Sequence, residues 1–506
     1  MPLLAAGVKI TLGPRHPGLQ RVISVTVLAA VLSVAVVLLV RADRFGPQTV
    51  QVGAWPAPLG VTLVADRLSA VMLTVSAAVT LCVMVYAIGQ DVADADRRTP
   101  LSVFHPTYLL LVAGVADAFL AGDLFNLFVG FEIMLMASYV LITLGGTAAR
   151  VRAGTTYIMV ALLSSMLFLI AIGVIYAAAG TVNMAQLAER FQALPSGITL
   201  LAELMLLTAF GIKAAVFPLS MWLPDSYPTA PAPVTAVFAG LLTKIGIYGF
   251  IRAETLLFPG HATRPLLLAA ALLSMVVGVL GALVQVDIKR LLSFTLVSHI
   301  GYMIFGVALG SAAALAATVF YVLHHITIQT TLFLVAGLIE RRGGSTSLHR
   351  LGGLARTAPL IGLLFFVPAM NLGGVPPLSG FLGKLGLLQA GLADGGAFAD
   401  VLVVTAVGTS LLTLYALVKV WNQAFWRVPA EMPGTSAEAE DEGAAPPSVR
   451  LPAAMVGATV ALLALSLAYT AAGGPLVSLT ERAAAELLSP AGYIQAVRPQ
   501  EPGGPS

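Results

Sequence analysis

Apolar residues form long runs, separated by short polar stretches, along almost the whole chain. About 20 consecutive apolar residues let a helix cross the roughly 30 Å hydrocarbon core of a bilayer. A shorter stretch, Pro2–Leu12, is interpreted as a clipped first span or the remainder of one, rather than as a signal peptide. The pattern predicts an all-α polytopic membrane protein with about 14 transmembrane helices. The longer spans are expected near residues 20–41, 67–89, 106–122, 124–144, 156–179, 198–220, 232–255, 265–285, 291–310, 315–339, 358–395 (broken), 400–424 and 452–473.

Composition supports a membrane location. Hydrophobic residues make up 58% of the 506 residues, and Asp, Glu, Lys and Arg together only 10%. A soluble surface needs about a quarter of its residues charged. The net charge is only +3 and no basic run is present, which excludes nucleic acid as a partner. The single cysteine, Cys82, excludes an intramolecular disulfide and a Cys-ligated metal centre built by this chain alone, so we expect no cofactor and no metal.

The distribution of Lys and Arg between the loops predicts the orientation. Cytoplasmic loops carry an excess of these residues. With the N-terminus outside, the inner loops contain fourteen of them and the outer loops six, so both termini are predicted to lie outside the cell. Residues 427–450 then form a flexible, acidic cytoplasmic loop, and residues 476–497 are expected to form a surface helix.

A few ionisable residues lie within the predicted spans, where an ionised group costs several kcal/mol. Glu132 could simply form a salt bridge between helices, and the lysine at 244 could extend towards the interface, although it is deep in its span. Each buried histidine is as consistent with an ordinary core residue as with a proton relay. The candidate functional residues are Glu132, Lys213, Lys244, Lys384, His324 and His325, joined by His299, whereas Asp117, Glu203 and Lys419 are expected closer to an interface.

Two predicted spans contain helix breakers beside a buried lysine. Pro218 follows Lys213, and Pro376 and Pro377 precede Lys384 within a glycine-rich stretch. A proline removes a helical hydrogen bond, and broken helices at membrane depth are tolerated where they line a cavity or are covered by protein. The tripeptide Pro-Leu-Ser occurs at both breaks, which hints at an internal repeat.

Buried lysines and a glutamate suit proton exchange. Burial disfavours the charged form of both groups, whereas pairing favours it. A change in the contact between Glu132 and Lys213 would therefore alter how readily the next lysine holds its proton. Lysine is a poor ligand for Na⁺, because like charges repel and hard cations prefer oxygen ligands. The carried ion is therefore predicted to be H⁺.

Several segments resemble one family of membrane proteins. They are FGIKAAVFPLSMWLP and its continuation to Arg252, DIKRLLSFTLVSHIGYM, the His-His helix and GGVPPLSGFLGKLG. These resemble the proton-translocating antiporter-like subunits shared by respiratory complex I, membrane-bound hydrogenases and Mrp cation/proton antiporters, over about residues 105–420. The segment GDLFNLFVGFEIMLMASYVLITLGG is most similar to the D subunit of Mrp antiporters.

The resemblance implies an architecture. It implies fourteen helices with two inverted five-helix repeats, each containing a broken helix. The implied divisions are N-terminal helices at 1–104, repeats at 105–255 and 256–426, the acidic loop at 427–450, and a last helix with the tail at 451–506.

The resemblance also implies roles for individual residues. Glu132 matches the family's essential glutamate, Lys213 its paired lysine and Lys244 its central lysine. The lysine of the second broken helix corresponds to Lys384, and the histidine position to His324 and His325. One departure is Gln329, which stands where many relatives carry a lysine.

Two functions are left open. The first is a proton-conducting subunit of a multi-subunit Na⁺/H⁺ antiporter, a transporter rather than an enzyme. The second is a proton-pumping subunit of a quinone reductase or hydrogenase, and a non-conducting scaffold is a third possibility. The implied partners are other membrane subunits, H⁺, Na⁺ or another monovalent cation, and the lipid bilayer of a prokaryotic plasma membrane.

Overall fold

Helices make up nearly all of the protein in a computed structural model, which describes residues 1–13, 16–90, 101–260, 262–427 and 451–498. The helices are α1 (Pro2–Leu12), α2 (Pro17–Phe45), α3 (Arg67–Gln90), α4 (Leu101–Leu120), α5 (Leu124–Thr143), α6 (Ala148–Ala179), α7 (Met184–Arg190), α8 (Ser196–Ala214), α9 (Trp222–Ser226), α10 (Ala232–Val237), α11 (Thr243–Arg252), α12 (Arg264–Val284), α13 (Ile288–Leu309), α14 (Ala312–Gly343), α15 (Leu354–Thr357), α16 (Pro359–Gly373), α17 (Ser379–Asp394), α18 (Ala397–Val420), α19 (Ala453–Ala471), α20 (Gly473–Leu488) and α21 (Ala491–Val497).

Most of the predicted spans are long apolar helices in the structure. Within the described residues, 12 helices are long and apolar enough to cross a membrane. One of them runs over Ala232–Leu257 and joins α10 and α11 through a π-helical turn at Phe238–Leu242. The short α1 and the interrupted pair α16 and α17 lie at the other two predicted spans, and α1, with 11 residues, is shorter than a full span. The prediction of a polytopic helical membrane protein is confirmed.

A small hairpin was not predicted. Strands β1 (Gln48–Gln51) and β2 (Thr62–Ala65) pair antiparallel, with Gln48 opposite Ala65 and Gln51 opposite Thr62. The hairpin connects α2 to α3, and its pairing satisfies backbone groups that have no helical partner. The hairpin leaves the all-α class intact, and it went unpredicted because four-residue strands leave little pattern in a sequence dominated by apolar helices.

The central helices are covered on all sides. The helix over 232–257 and α14 are buried along their whole apolar length, whereas α2 buries only 22% of its most apolar part. Outer helices expose their apolar side chains, as expected where lipid or another membrane protein replaces water. The two fully covered helices therefore occupy the middle of the molecule, and they carry Lys244, His324 and His325.

Two halves of the chain share a local construction. The side chains of Asp123 and Asp287, which are 164 residues apart, cap the N-termini of α5 and α13. At the same spacing, Thr147 and Ser311 cap the N-termini of α6 and α14. Asp123 also pairs with Asn183, and Asp287 with Ser347, in isolated antiparallel bridges at the same spacing. Consecutive units of five spans necessarily enter the membrane from opposite sides. This repeated construction is consistent with the expected inverted repeats.

The predicted surface helix near the C-terminus is present as α20 and α21. Glu486 on α20 pairs with Arg67 at 2.6 Å, and Arg482 pairs with Asp43 at 2.8 Å. The hydroxyl of Thr49 in the hairpin donates to the Ala496 carbonyl. The segment therefore ties α2, α3 and the hairpin together. Most of the predicted acidic loop, residues 428–450, lies outside the described residues, as does the end of the tail, 499–506.

A buried ion pair fastens the same end of the molecule. Arg252 donates to the Asp66 carboxylate at 2.5 Å, and both side chains are at least 95% buried. Burial alone would raise the pKa of Asp66, but the charge of Arg252 and hydrogen bonds from Arg252 and Ser69 hold that pKa below its ordinary value of 3.8. The pair therefore stabilises the fold above about pH 4, and its contribution is lost as the pH falls through the lowered pKa.

We expect Asp66→Ala to lower the free energy of unfolding by about 3–5 kcal/mol, because it leaves the Arg252 guanidinium buried without its counter-charge. Thermal unfolding of the protein in detergent at pH 7 measures this loss. The matched control is Asp43→Ala, which breaks partly exposed pairs and should cost no more than about 1 kcal/mol. Equal losses in the two variants would contradict a special role for burial.

Candidate functional site

Lys213 lies where the first interrupted span breaks. Helix α8 ends at Ala214, and Ala215 adopts a left-handed conformation with a φ of 59°. A non-glycine residue rarely adopts this conformation, so the surrounding packing must hold it. In the second interrupted span, Gly374 also adopts a left-handed conformation, 159 residues after Ala215. Pro377 lies 159 residues after Pro218, so the two breaks share the same spacing. The predicted breaks are confirmed at both places.

The Lys213 amine faces an aromatic and hydroxyl-lined space. Its side chain is 95% buried, and Nζ lies 5.8 Å from the centre of the Phe131 ring. A cavity beside it has about 10 Å³ for the centre of a water molecule, which is room for about one water. Its lining includes Ser164, Tyr157 and Tyr227. A single water could therefore carry a proton to or from this amine.

Glu132 lies on α5, next to Phe131, and is half-buried. Its carboxylate accepts a very short hydrogen bond from Ser165 on α6, so its partner comes from a neighbouring helix. The charge of Glu132 acts on Lys213. The two residues nevertheless do not form an ion pair within the part of the chain that the structure describes. The sequence predicted a contact between them, whereas the first hydrogen-bond partner of Glu132 is Ser165.

Lys244 is fully buried at the start of α11. Its Nζ donates to the carbonyl of Ala239 at 2.7 Å and lies 3.2 Å from the Thr243 hydroxyl. Ala239 belongs to the π-helical turn, a feature that is common at functional sites. Extension of this amine to the interface is thus excluded, since both of its contacts are local and buried.

Lys213 and Lys244 lie on helices in close contact. A Cβ added to Gly246 would lie 2.7 Å from the backbone nitrogen of Ala214, so only glycine permits this approach. Lys244 is two residues before Gly246, and Lys213 immediately precedes Ala214. The close packing of α8 against α11 therefore places the two lysines at the same depth.

Three buried histidines follow Lys244 towards the second half. The rings of His325 on α14 and His299 on α13 are 5.2 Å apart, and Lys244 acts electrostatically on both. His324 turns instead to the second break, where its Nδ1 lies 3.0 Å from the Ser379 hydroxyl. The two adjacent histidines thus face different neighbours. All three rings have 0% exposure.

Lys384 completes the set on α17, just after the second break. Its Nζ donates to the Leu372 carbonyl at 3.0 Å and to the Ser410 hydroxyl at 2.9 Å. The amine also lies 5.2 Å from the centre of the Tyr302 ring. A cavity of about 300 Å³ adjoins it, between the break and α18. Ion pairs among the described residues involve none of the lysines 213, 244 and 384.

Gln329 occupies the position where the resemblance leads one to expect a lysine. It is fully buried one turn after His325, and its amide nitrogen donates to the Leu292 carbonyl at 2.7 Å. Its amide oxygen accepts no hydrogen bond within the described residues. The side chain is therefore a neutral group that cannot itself store a proton.

The structure adds polar side chains that the sequence did not single out. They include Ser165 at Glu132, the tyrosines at 302 and 321 among the histidines, and Asn371, which binds Ser379. Tyr321 precedes His324 by three residues and so lies on the same helix face, a signal that was present in the sequence. The other partners come from distant helices.

Comparison with known proteins identifies the family. The model for the transmembrane region of NADH:quinone oxidoreductase and Mrp antiporters matches residues 121–413. The D subunit of the Na⁺/H⁺ antiporter of Alkalihalophilus pseudofirmus is 38% identical over 487 residues, which cover 96% of this chain and 95% of that protein. The chain belongs to the family of antiporter D subunits. The Bacillus subtilis member is 34% identical over 500 residues, covering 98% and 97%.

Solved structures share the fold of this antiporter family member. A chain of the Mrp complex from Dietzia superposes with a TM-score of 0.88 at 36% identity, covering 98% of this chain and 97% of that one. A chain of an archaeal membrane-bound sulfane sulfur reductase has a TM-score of 0.84 at 24% identity and supports the fold alone. The relatives named as D subunits are transporter subunits rather than enzymes, which agrees with the sequence prediction.

Proposed function

We propose that this protein is the proton-conducting membrane subunit of a multi-subunit Na⁺/H⁺ antiporter in a bacterial plasma membrane. The observation that carries the proposal is a set of titratable side chains, buried except for the half-buried Glu132, on helices that pack against one another. It runs from Glu132 through Lys213 and Lys244 to the histidines and Lys384.

The contacts of the lysines suit proton exchange. Lys244 and Lys384 donate only to carbonyl and hydroxyl oxygens, which are neutral. These acceptors can bind the neutral amine as well as the ammonium ion, so an amine can lose its proton without leaving an uncompensated carboxylate. A lysine held by a buried carboxylate would keep its proton more tightly.

We propose that Glu132 sets the charge state of Lys213. Its carboxylate favours the ammonium form of Lys213, and exchange of its contact with Ser165 for one with the lysine would strengthen that effect. A proton leaving Lys213 would pass to Lys244 across the contact of α8 with α11. His325 and His299 then connect Lys244 with the second half.

The carried ion in this subunit is H⁺. Three lysines repel a metal cation, and Na⁺ prefers oxygen ligands. Groups of three or more His, Cys, Asp or Glu suited to a metal are absent among the described residues. Sister membrane subunits would supply the path for Na⁺ or another monovalent cation.

We further propose that the two halves, 105–255 and 256–426, act as successive units and that both termini lie outside the cell. The excess of Lys and Arg in the inner loops supports this orientation. Cysteine substitutions at Thr49 in the hairpin and Ser345 after α14, labelled with a membrane-impermeant reagent, test it. Labelling of only the hairpin in intact cells is expected.

Deletion of this subunit tests the function. Growth is expected to become sensitive to Na⁺ at alkaline pH, while NADH oxidation by membranes stays unchanged. Loss of quinone-linked oxidation with normal Na⁺ tolerance would favour the alternative, a proton pump of a quinone reductase. Purifying the complex and identifying its other subunits separates the two independently, because antiporter and dehydrogenase assemblies have few other components in common.

A further inference from the structure

The hydroxyl of Tyr321 lies 2.6 Å from Nδ1 of His299. Both side chains are fully buried, one on α14 and the other on α13. The other ring nitrogen of His299, Nε2, makes no hydrogen bond within the described residues. This histidine is therefore held by a single hydrogen bond, to a residue that the relay described above does not use.

The direction of this hydrogen bond follows from the chemistry of its two partners. The described residues give its hydroxyl no other partner. Either direction leaves one buried donor without an acceptor, the Tyr321 O–H in one case and the His299 Nε2–H in the other. A phenol O–H is a more acidic donor than an imidazole N–H, and an imidazole nitrogen is a more basic acceptor than a phenol oxygen, so the hydroxyl donates and Nδ1 accepts. A neutral imidazole with Nδ1 as acceptor carries its own proton on Nε2. The contact therefore selects one of the two tautomers of His299.

The pair occupies the junction between the two halves. His299 lies 5.2 Å from His325 on the Lys244 side and 5.5 Å from the Tyr302 ring, over which the Lys384 amine lies. The pair therefore lies beside a path that connects the two halves through the histidines. The titratable groups that face His299 are His324 and His325 on α14, Lys244 on α11, Lys384 on α17, and the two tyrosines.

We propose that Tyr321 is a positioning residue that holds His299 neutral, with its proton on Nε2, until the phenol hydroxyl turns away. Protonation of His299 requires a proton to bind Nδ1, and that nitrogen is occupied by the Tyr321 O–H. When the hydroxyl rotates, Nδ1 takes the proton that His325 passes on from Lys244, His325 returns to its neutral form, and the phenol oxygen accepts the new N–H of His299. Tyr321 itself neither gains nor loses a proton. This inference rests on the proposed function.

The variant Tyr321→Phe keeps the ring and removes the hydroxyl, so Nδ1 becomes free to bind a proton. In membrane vesicles containing the whole complex, we expect the pH profile of Na⁺-driven proton exchange to move to higher pH by about half to one unit, the effect of one hydrogen bond. The maximal rate should fall several-fold. Incorporating 3-fluorotyrosine at position 321 strengthens the donor and should move the profile to lower pH.

The matched control is Tyr108→Phe. Tyr108 is also fully buried and donates one hydrogen bond, to the Thr80 carbonyl at 2.9 Å, but it lies between α3 and α4. This variant should keep both rate and pH profile. A Tyr321→Phe complex with a lower rate but an unshifted profile would show a purely structural role and overturn the inference, as would wild-type behaviour.

Variants of Lys213 test the proposed function independently of the role of Tyr321. If Lys213→Ala complexes still exchange protons, the relay itself is wrong. If they are inactive while both changes at position 321 leave the pH profile unmoved, only the role of Tyr321 is wrong. Should Tyr321→Phe fail to assemble, the fluorotyrosine protein decides alone, because it keeps the shape of the side chain.

Discussion

Replacing Lys213 by alanine is expected to abolish proton-coupled exchange while the complex still assembles. The lysine is the titratable group between Glu132 and Lys244, and no neighbouring side chain can take its place. The cavity beside it holds about one water, which alone cannot store a proton between the two halves of a cycle. The measurement is Na⁺-induced dissipation of a pH gradient in inverted vesicles.

The matched control for Lys213 is Lys419→Ala. Lys419 is a partly exposed lysine on α18 that donates to the carbonyls of Leu283 and Gln285, outside the proposed set of titratable side chains. Its loss should leave at least half of the exchange rate. Substantial exchange in Lys213→Ala, with normal amounts of the complex in the membrane, would refute the charge switch.

Replacing Lys384 by alanine is expected to have a similarly large effect. This amine is the titratable group at the second break, and it borders the cavity of about 300 Å³ between the break and α18. Its loss leaves His299 and His324 without a group to receive their proton. Exchange should fall to the level of vesicles that lack the complex, measured by the same assay over a range of pH.

A graded comparison separates the charge of Lys384 from its placement. Ser410→Ala removes one of the two acceptors of Nζ and leaves the Leu372 carbonyl. The amine remains, so exchange should be slowed rather than lost. An inactive Ser410→Ala together with an active Lys384→Ala would show that the hydroxyl, and not the amine, carries the proton at this point.

Much of the candidate site could be predicted from residue types. Glutamate and lysine are expensive within a span, so their presence singled out Glu132, Lys213, Lys244 and Lys384 without any structure. Prolines and glycines located both breaks, because they interrupt a helix through their own backbone properties. The histidines were ambiguous, because imidazole is also tolerated in an ordinary core and its role depends on its neighbours.

The partners of these residues could not be predicted. Ser165 reaches Glu132 from another helix, and Tyr321 reaches His299 across α13 and α14. A hydroxyl costs little within a span, so a serine or tyrosine is not conspicuous in the sequence. Only the packing of helices distant in the chain shows which hydroxyl meets which charge.

The sequence by itself determined that the protein is a helical membrane protein with many spans, where two of its helices break and that Lys213, Lys244 and Lys384 are buried. These features follow from the cost of placing polar groups in hydrocarbon. That cost depends on the residues of each segment alone, so it can be read one segment at a time. Tertiary structure alone decided that Lys384 donates to Ser410, that Glu132 accepts a hydrogen bond from Ser165 and that Tyr321 meets His299. Those contacts join side chains on separate helices, a property of pairs of segments that no single segment contains.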